Sequence, residues 1–201
     1  MGYDLYGLNP NNPNNTVKPE HFDWNDPSVT DEVKDKYYDE LRKYESEVVG
    51  SYFRSNVWYW RPLWNFVTAG CSDILSEKDI EGGYENGGHR ISKTKSKRMA
   101  SRIRNLIKIG AAESFEELTN ATMEKAREHN KNVDREMQVL REEVAMNYGE
   151  GLVPRDYPEP FKSKWDKIQS KRNWSDSYPF SAEFLNEFAS FCDQSGGFEI
   201  C

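Results

Sequence analysis

The segment Tyr52–Trp64, YFRSNVWYWRPLW, holds six aromatic residues in thirteen positions and three of the chain's six tryptophans. Each Phe, Tyr or Trp brings about 150–250 Å² of surface that a fold must bury or put to use. Arg54, Asn56 and Arg61 stand among the rings, and buried guanidinium groups need partners. The segment therefore builds either a core seam or a pocket for a flat, charged ligand. Core packing accounts readily for Phe53, Val57, Trp60 and Trp64. It accounts less well for Arg54, Trp58 and Arg61. Arg54 and Trp58 lie four residues apart and share a side, which allows a cation–π contact.

A chain of 201 residues with 13% aromatic and 36% hydrophobic content can close a core around such a segment, so a wholly disordered chain is excluded. The length suits one domain over 1–201. The first ten residues, MGYDLYGLNP, have neither a basic nor an apolar leader region. No apolar run approaches the roughly 20 residues that span a bilayer. Cys71, Cys192 and Cys201 form an odd set without a Cys-x-x-Cys pair and read as free thiols in a reducing cytoplasm. In that setting the glycosylation triplets at Asn14, Asn120 and Asn173 carry no meaning.

The net charge of −7 hides an asymmetry. Between His89 and Ala112 stand Arg90, Lys93, Lys95, Lys97, Arg98, Arg102, Arg104 and Lys108, with no acid; the rest of the chain has 19 cations against 34 acids. One basic helix therefore sits on an acidic body. It is either a solvated helix paired with acidic neighbours or part of an anion site.

Periodicity and turn chemistry predict an α+β fold, mostly helical. Residues 1–6 alternate as a short strand, and Asn9–Pro19 is a loop. A helix runs over Ser28–Val49, capped by Ser28 with Asp31, its stripe formed by Val33, Tyr37, Leu41, Tyr44 and Val48. Pro62 is expected in the first turn of a helix that ends near Gly70. A short helix over Ser76–Glu81 leads to a glycine-rich loop at Gly82–His89, then to the basic helix from Ser92 to Gly110. Ser114-x-x-Glu117 opens a long helix over 114–147, which would protrude or meet its equivalent in a second chain. A Pro/Gly loop at Gly149–Pro160 precedes a short helix through Phe161, Trp165 and Ile168. Ser181 caps the last helix, Gly196-Gly197 ends it, and Phe198–Cys201 forms a strand paired with the first. The small sheet thus comes from the two termini, packed on helices.

Gly83-x-x-x-x-Gly88 has the first spacing of a phosphate loop, but His89-Arg90 replaces the Lys-Ser/Thr and no strand precedes it, so a true P-loop is rejected. Glycines before a helix N-terminus still suit an anion. His21, His89 and His129 are scattered, there is no Glu-x-x-His or Cys/His cluster, and no serine sits in a nucleophile elbow. No metal and no cofactor are expected.

The chain resembles a group of small proteins from tailed phages and some bacteria. The likeness rests on Met1–Gly7, Tyr52–Trp64, Ser92–Lys95, Tyr178–Ser181 and the ending Ser195–Cys201, blocks that span nearly the whole chain. Some members carry Cys-x-x-Cys pairs before the last helix; this chain has none over Gly149–Asn173, which removes a zinc role there. The insertion Asn9–Val49 also looks longer than in the group. The resemblance brings no activity with it, but it sets the protein in a phage-infected cytoplasm. There, small proteins without enzymatic signatures often block host factors, for example by sequestering a nucleotide signal.

The expected function is non-enzymatic binding of an anionic, nucleotide-like small molecule. Trp58 or Trp60 would stack on the base. Arg54, Arg61, Arg90, Lys93 and Lys95 would neutralise phosphate, with Asn56, Asn86 and His89 giving direction. One alternative is a nucleotide hydrolase or phosphodiesterase using His89. The other is an interaction module using basic helix 90–108 on nucleic acid, which the overall acidity disfavours, or on a host protein. A homo-oligomer through the long helix also fits. No membrane association is expected.

Overall fold

The structure, a computed structural model, describes residues 2–23, 26 and 29–201. Met1 in the first expected strand and the expected Ser28 cap lie outside the described residues. The chain forms two compact units, Met1–Ser114 with Phe180–Cys201, and Phe115–Pro179. The fold is α+β and mostly helical, with a small antiparallel sheet.

The first unit is built on that sheet. Its strands are β1 (Gly2–Gly7), β2 (Tyr52–Asn56), β3 (His89–Ser92) and β4 (Gly197–Ile200), in the order β2-β1-β4-β3. The terminal strands β1 and β4 pair as expected, with Leu5 opposite Ile200. Two internal strands flank them: β2 on β1, with Leu5 opposite Phe53, and β3 on β4, with Ile91 opposite Phe198. Alternation sends Tyr3, Leu5, Phe53, Ile91, Phe198 and Ile200 to one buried face. It sends Asp4, Tyr6, Tyr52, Arg54, Arg90 and Glu199 to the other.

Against the buried face pack α2 (Val57–Gly70), α4 (Lys93–Lys108) and α7 (Ala182–Gln194). Asn56 starts α2: its side-chain oxygen accepts from the backbone N–H groups of Trp58 and Tyr59, each at 3.0 Å. This cap puts Pro62 inside the helix and not in its first turn, a correction to the sequence reading. Trp60 and Trp64 follow on one face four residues apart, stacked at 5.3 Å and 13°. Both are fully buried. Ser181 caps α7, as read from the sequence, and Ser92, where the basic helix was expected to start, caps α4. The segment α1 (Asp31–Glu47), capped by Thr30, carries Tyr44 as its buried residue.

The aromatic block and the glycine loop do face one another. The helix α3 (Glu77–Gly82) leads into the loop. There the Trp64 indole N–H donates to Ile80 O at 3.0 Å, that of Trp60 to Gly83 O at 2.7 Å, and the Tyr3 hydroxyl to Tyr84 O at 2.6 Å. What they form is a seam of packed rings. A Cβ on Gly83 would land within the Trp64 indole. Gly83→Ala is therefore expected to cost about 1–3 kcal/mol through overpacking, read as a lowered urea midpoint at unchanged slope. Gly87→Ala, with open space around it, should stay within about 0.5 kcal/mol of the parent.

The second unit holds most of α5 (Ala111–Tyr148), 38 residues long. It starts three residues before the expected Ser114, because the Gly110 carbonyl already accepts the Ser114 N–H at 3.1 Å. Its face of Val133, Met137, Leu140 and Val144 packs on Tyr157 and on Phe161, Trp165 and Ile168 of α6 (Phe161–Gln169), a separate small core. Buried Asn130 fastens the returning chain, donating to Asn173 O at 2.8 Å and Asp176 Oδ2 at 2.7 Å and accepting from Asn173 N at 2.9 Å.

Candidate functional site

His89 and Lys95 converge on one carboxylate, that of Asp79. Ser76-x-x-Asp79 is a capping box for α3: the Ser76 hydroxyl accepts from Asp79 N at 3.3 Å, and Asp79 Oδ2 accepts from Ser76 N at 2.8 Å. Lys95 Nζ donates to the same oxygen, and His89 Nε2 lies 3.1 Å from Oδ1. Burial works against ionising Asp79, but the bonds from Lys95, Ser76 and His89 outweigh it and hold the carboxyl well below the usual carboxylate range. An ionised Asp79 only accepts, so the His89 proton sits on Nε2. His89 belongs to a strand, not to the loop. It lines a surface hollow with Lys78, Glu81 and Glu85, where acids outnumber the lysine.

The other expected ligand groups are dispersed. Trp60 is corrected to core: Tyr3 stacks on it at 5.2 Å and Trp64 at 5.3 Å, which leaves no ring face for a base. Asn56 spends its oxygen on the α2 cap. Arg90 pairs with Glu199 across β3 and β4 at 2.7 Å. Asn86 Nδ2 donates to Gly2 O at 3.5 Å. Trp58, Arg61 and Lys93 are exposed. Strands β2 and β3 are opposite edges of the sheet, three strand steps or about 14 Å apart. Arg54 of β2 and Arg90 of β3 therefore do not share one site. Of the eight basic residues, Arg90, Lys95, Arg98, Arg102 and Arg104 are in ion pairs, with Glu199, Asp79, Asp73 and Asp193 as partners. Four of the seven cations of α4 thus pair with three carboxylates of the acidic body.

A different site takes shape on the outer face of the sheet. Tyr6, Tyr52 and Arg54 project there from β1 and β2. Tyr37, Tyr38, Leu41, Arg42, Tyr44 and Glu45 reach it from α1, and Lys18, His21 and Ser51 from the connections. Together they enclose a pocket of about 490 Å³, within the range of small-ligand sites. Tyr6 and Tyr52 lie 5.4 Å apart at its floor, and Tyr37 meets His21 edge-on at 6.2 Å. Tyr52 donates to Asp4, and Arg54 Nε stands 3.6 Å from the same carboxylate. Burial, then the bond to Asp4, pushes the Tyr52 phenol far above its ordinary value, so it stays a donor. Burial likewise raises Glu45, with Lys18 opposing and Asp4 adding to the rise. Ser51 is buried at 8% exposure, and its Oγ is the buried side-chain polar atom that has no hydrogen-bond partner among the described residues.

Of the expected ligand residues, Arg54 alone lines this pocket. The tyrosines were visible in the sequence, but Tyr37 and Tyr44 read as a core stripe. The signal that could have found the site is the alternation in β2: with Phe53 and Ser55 inward, Tyr52 and Arg54 must share the outer face.

Comparison with protein-family models, with curated proteins and with solved structures finds no match. Among the described residues no group of three or more His, Cys, Asp or Glu side chains is placed to hold a metal ion, and no helix is long and apolar enough to cross a membrane.

Proposed function

We propose that this protein binds, without turning it over, an anionic ring-containing small molecule of the nucleotide class, and that the tyrosine-lined pocket holds it. The observation that carries the reading is Ser51 Oγ. A buried hydroxyl without a partner costs about 1–3 kcal/mol, and here it borders a ligand-sized pocket. The lining supplies the remaining chemistry. Five tyrosines offer ring faces and hydroxyls, and Lys18, Arg42 and Arg54 line the pocket with Glu45, Arg42 being held by Asp39 at 2.5 Å. Arg54 is the phosphate or carboxylate ligand, because its guanidinium is largely exposed and its Asp4 contact is long. The likeness to phage proteins supplies a setting, a cytoplasmic sponge for a host immune signal.

Purified protein incubated with a nucleotide panel, filtered and denatured should release an intact ligand identifiable by mass spectrometry. Arg54→Ala should weaken its retention about 10–100-fold, the worth of a hydrogen bond to a charged group. His89→Ala should leave it unchanged. Well-folded protein that retains nothing overturns the reading. The hydrolase alternative has the Asp79–His89 contact in its favour. Recovery of converted product that His89→Ala abolishes would establish it and end the non-enzymatic reading.

A further inference from the structure

The second unit carries a groove independent of the tyrosine pocket. One wall is the α5 face of Arg135, Glu136, Val139, Leu140 and Glu143; the other is Lys164, Lys167, Ile168 and Lys171, on α6 and just beyond it. Both sets recur at helical spacing, so one face of each element borders an open groove of about 560 Å³. Val139 is 64% exposed at its floor, while Leu140 and Ile168 continue that floor into the small core. An exposed β-branched residue beside a half-covered apolar strip is what a docking helix covers.

The charges choose the occupant. Both acids in the groove are already matched: Glu136 by Lys171 at 2.5 Å and Glu143 by Lys164 at 3.5 Å. Arg135 and Lys167 make no close ion pair among the described residues; Arg135 donates to Asn132 Oδ1 at 3.0 Å and feels Glu128 only through space. On a chain of net charge −7, this apolar strip is therefore framed by surplus cations. The reach from Arg135 to Glu143 along α5 is about 12 Å at 1.5 Å per residue, two turns of a partner helix. We infer that this groove docks an acidic amphipathic helix of a partner protein, its apolar stripe on Val139 and the partly buried Ile168 and its carboxylates on Arg135 and Lys167.

The test uses the full chain and a fluorescent, helix-forming peptide of about five turns, with leucines at i, i+3, i+4 and i+7 and glutamates on the flanks. Anisotropy should show binding that weakens as salt rises. Arg135→Glu combined with Lys167→Glu, and separately Val139→Glu, should each lower affinity at least tenfold with unchanged circular dichroism. All three positions line the surface groove, so the variants remain foldable. The lysine counterpart of the peptide should fail on the parent and bind the doubly reversed variant. Failure of the acidic peptide at low salt overturns the inference, as does equal binding of its lysine counterpart. So does a sedimenting dimer of the parent that Val139→Glu splits, which would give the groove to a second copy.

Discussion

Trp60→Ala should lower the folding free energy by about 3–5 kcal/mol, the range for emptying a large aromatic from a closed core. The ring is fully buried, with Tyr3 and Trp64 stacked on it and Phe188 edge-on at 5.7 Å. Its removal also strips the donor from Gly83 O, leaving a buried carbonyl unsatisfied. Domains are stable by only about 5–15 kcal/mol, so such a loss is a large share of the total. Trp58→Ala, two residues earlier, removes a ring that is 43% exposed and should cost under about 1 kcal/mol. Urea titration of both variants compares two tryptophans from one segment. Trp60→Phe keeps the apolar ring and loses the hydrogen bond, so it should fall between them. A Trp60→Ala loss below 1 kcal/mol would mean that the seam between the block and the glycine loop does not hold the fold.

This contrast shows what the sequence could and could not convey. The terminal strand pair, the helix start at Ser92, the cap at Ser181 and the long helix were legible, because each has a local pattern with a local cause. Strand β3 has four residues, only Ile91 of them fully buried, and no period can be read from that. Strand β2 was obscured by its own rings: Tyr52 and Phe53 are both aromatic, yet one faces the pocket and the other the core. Pro62 is favoured in first turns, but the Asn56 cap, six residues earlier, fixed where α2 begins. In the basic stretch the count of cations was right, while their partners Asp73, Asp79, Asp193 and Glu199 come from two distant stretches, 73–79 and 193–199. The tyrosine pocket likewise joins residues 6, 37, 38, 44 and 52 through sheet register and the placement of α1. An apolar-aromatic stripe looks the same from sequence whether it faces a core or a cavity.

Asp79→Ala should destabilise the protein by about 3 kcal/mol and change its response to acid. Its carboxylate is buried and serves the α3 cap, Lys95 and His89 at once. Breaking a buried, hydrogen-bonded charge pair costs about 3–5 kcal/mol. The lower end applies because the Lys95 side chain, a third exposed, can turn to water once its partner is gone. The pH dependence has a definite sign. The folded-state value of Asp79 is depressed, so at low pH the unfolded chain binds a proton that the folded one refuses. The contribution is complete above the ordinary aspartate value, about 3.9, and is lost as pH falls below it. Asp79→Asn keeps the size of the side chain and removes the titration. Its stability should start lower at pH 7 and decline less steeply than the parent's between about pH 4 and pH 2.5, so that the two urea-midpoint curves converge in acid. Curves that stay parallel across that window would show that the cluster is held by packing and that its charge contributes nothing. Convergence would establish His89 and Lys95 as the clamp that ties β3 and the start of α4 to α3. That would explain both residues without a ligand, and the anion site proposed above would stand on the opposite face of the sheet alone, where Arg54 lies beside Tyr52.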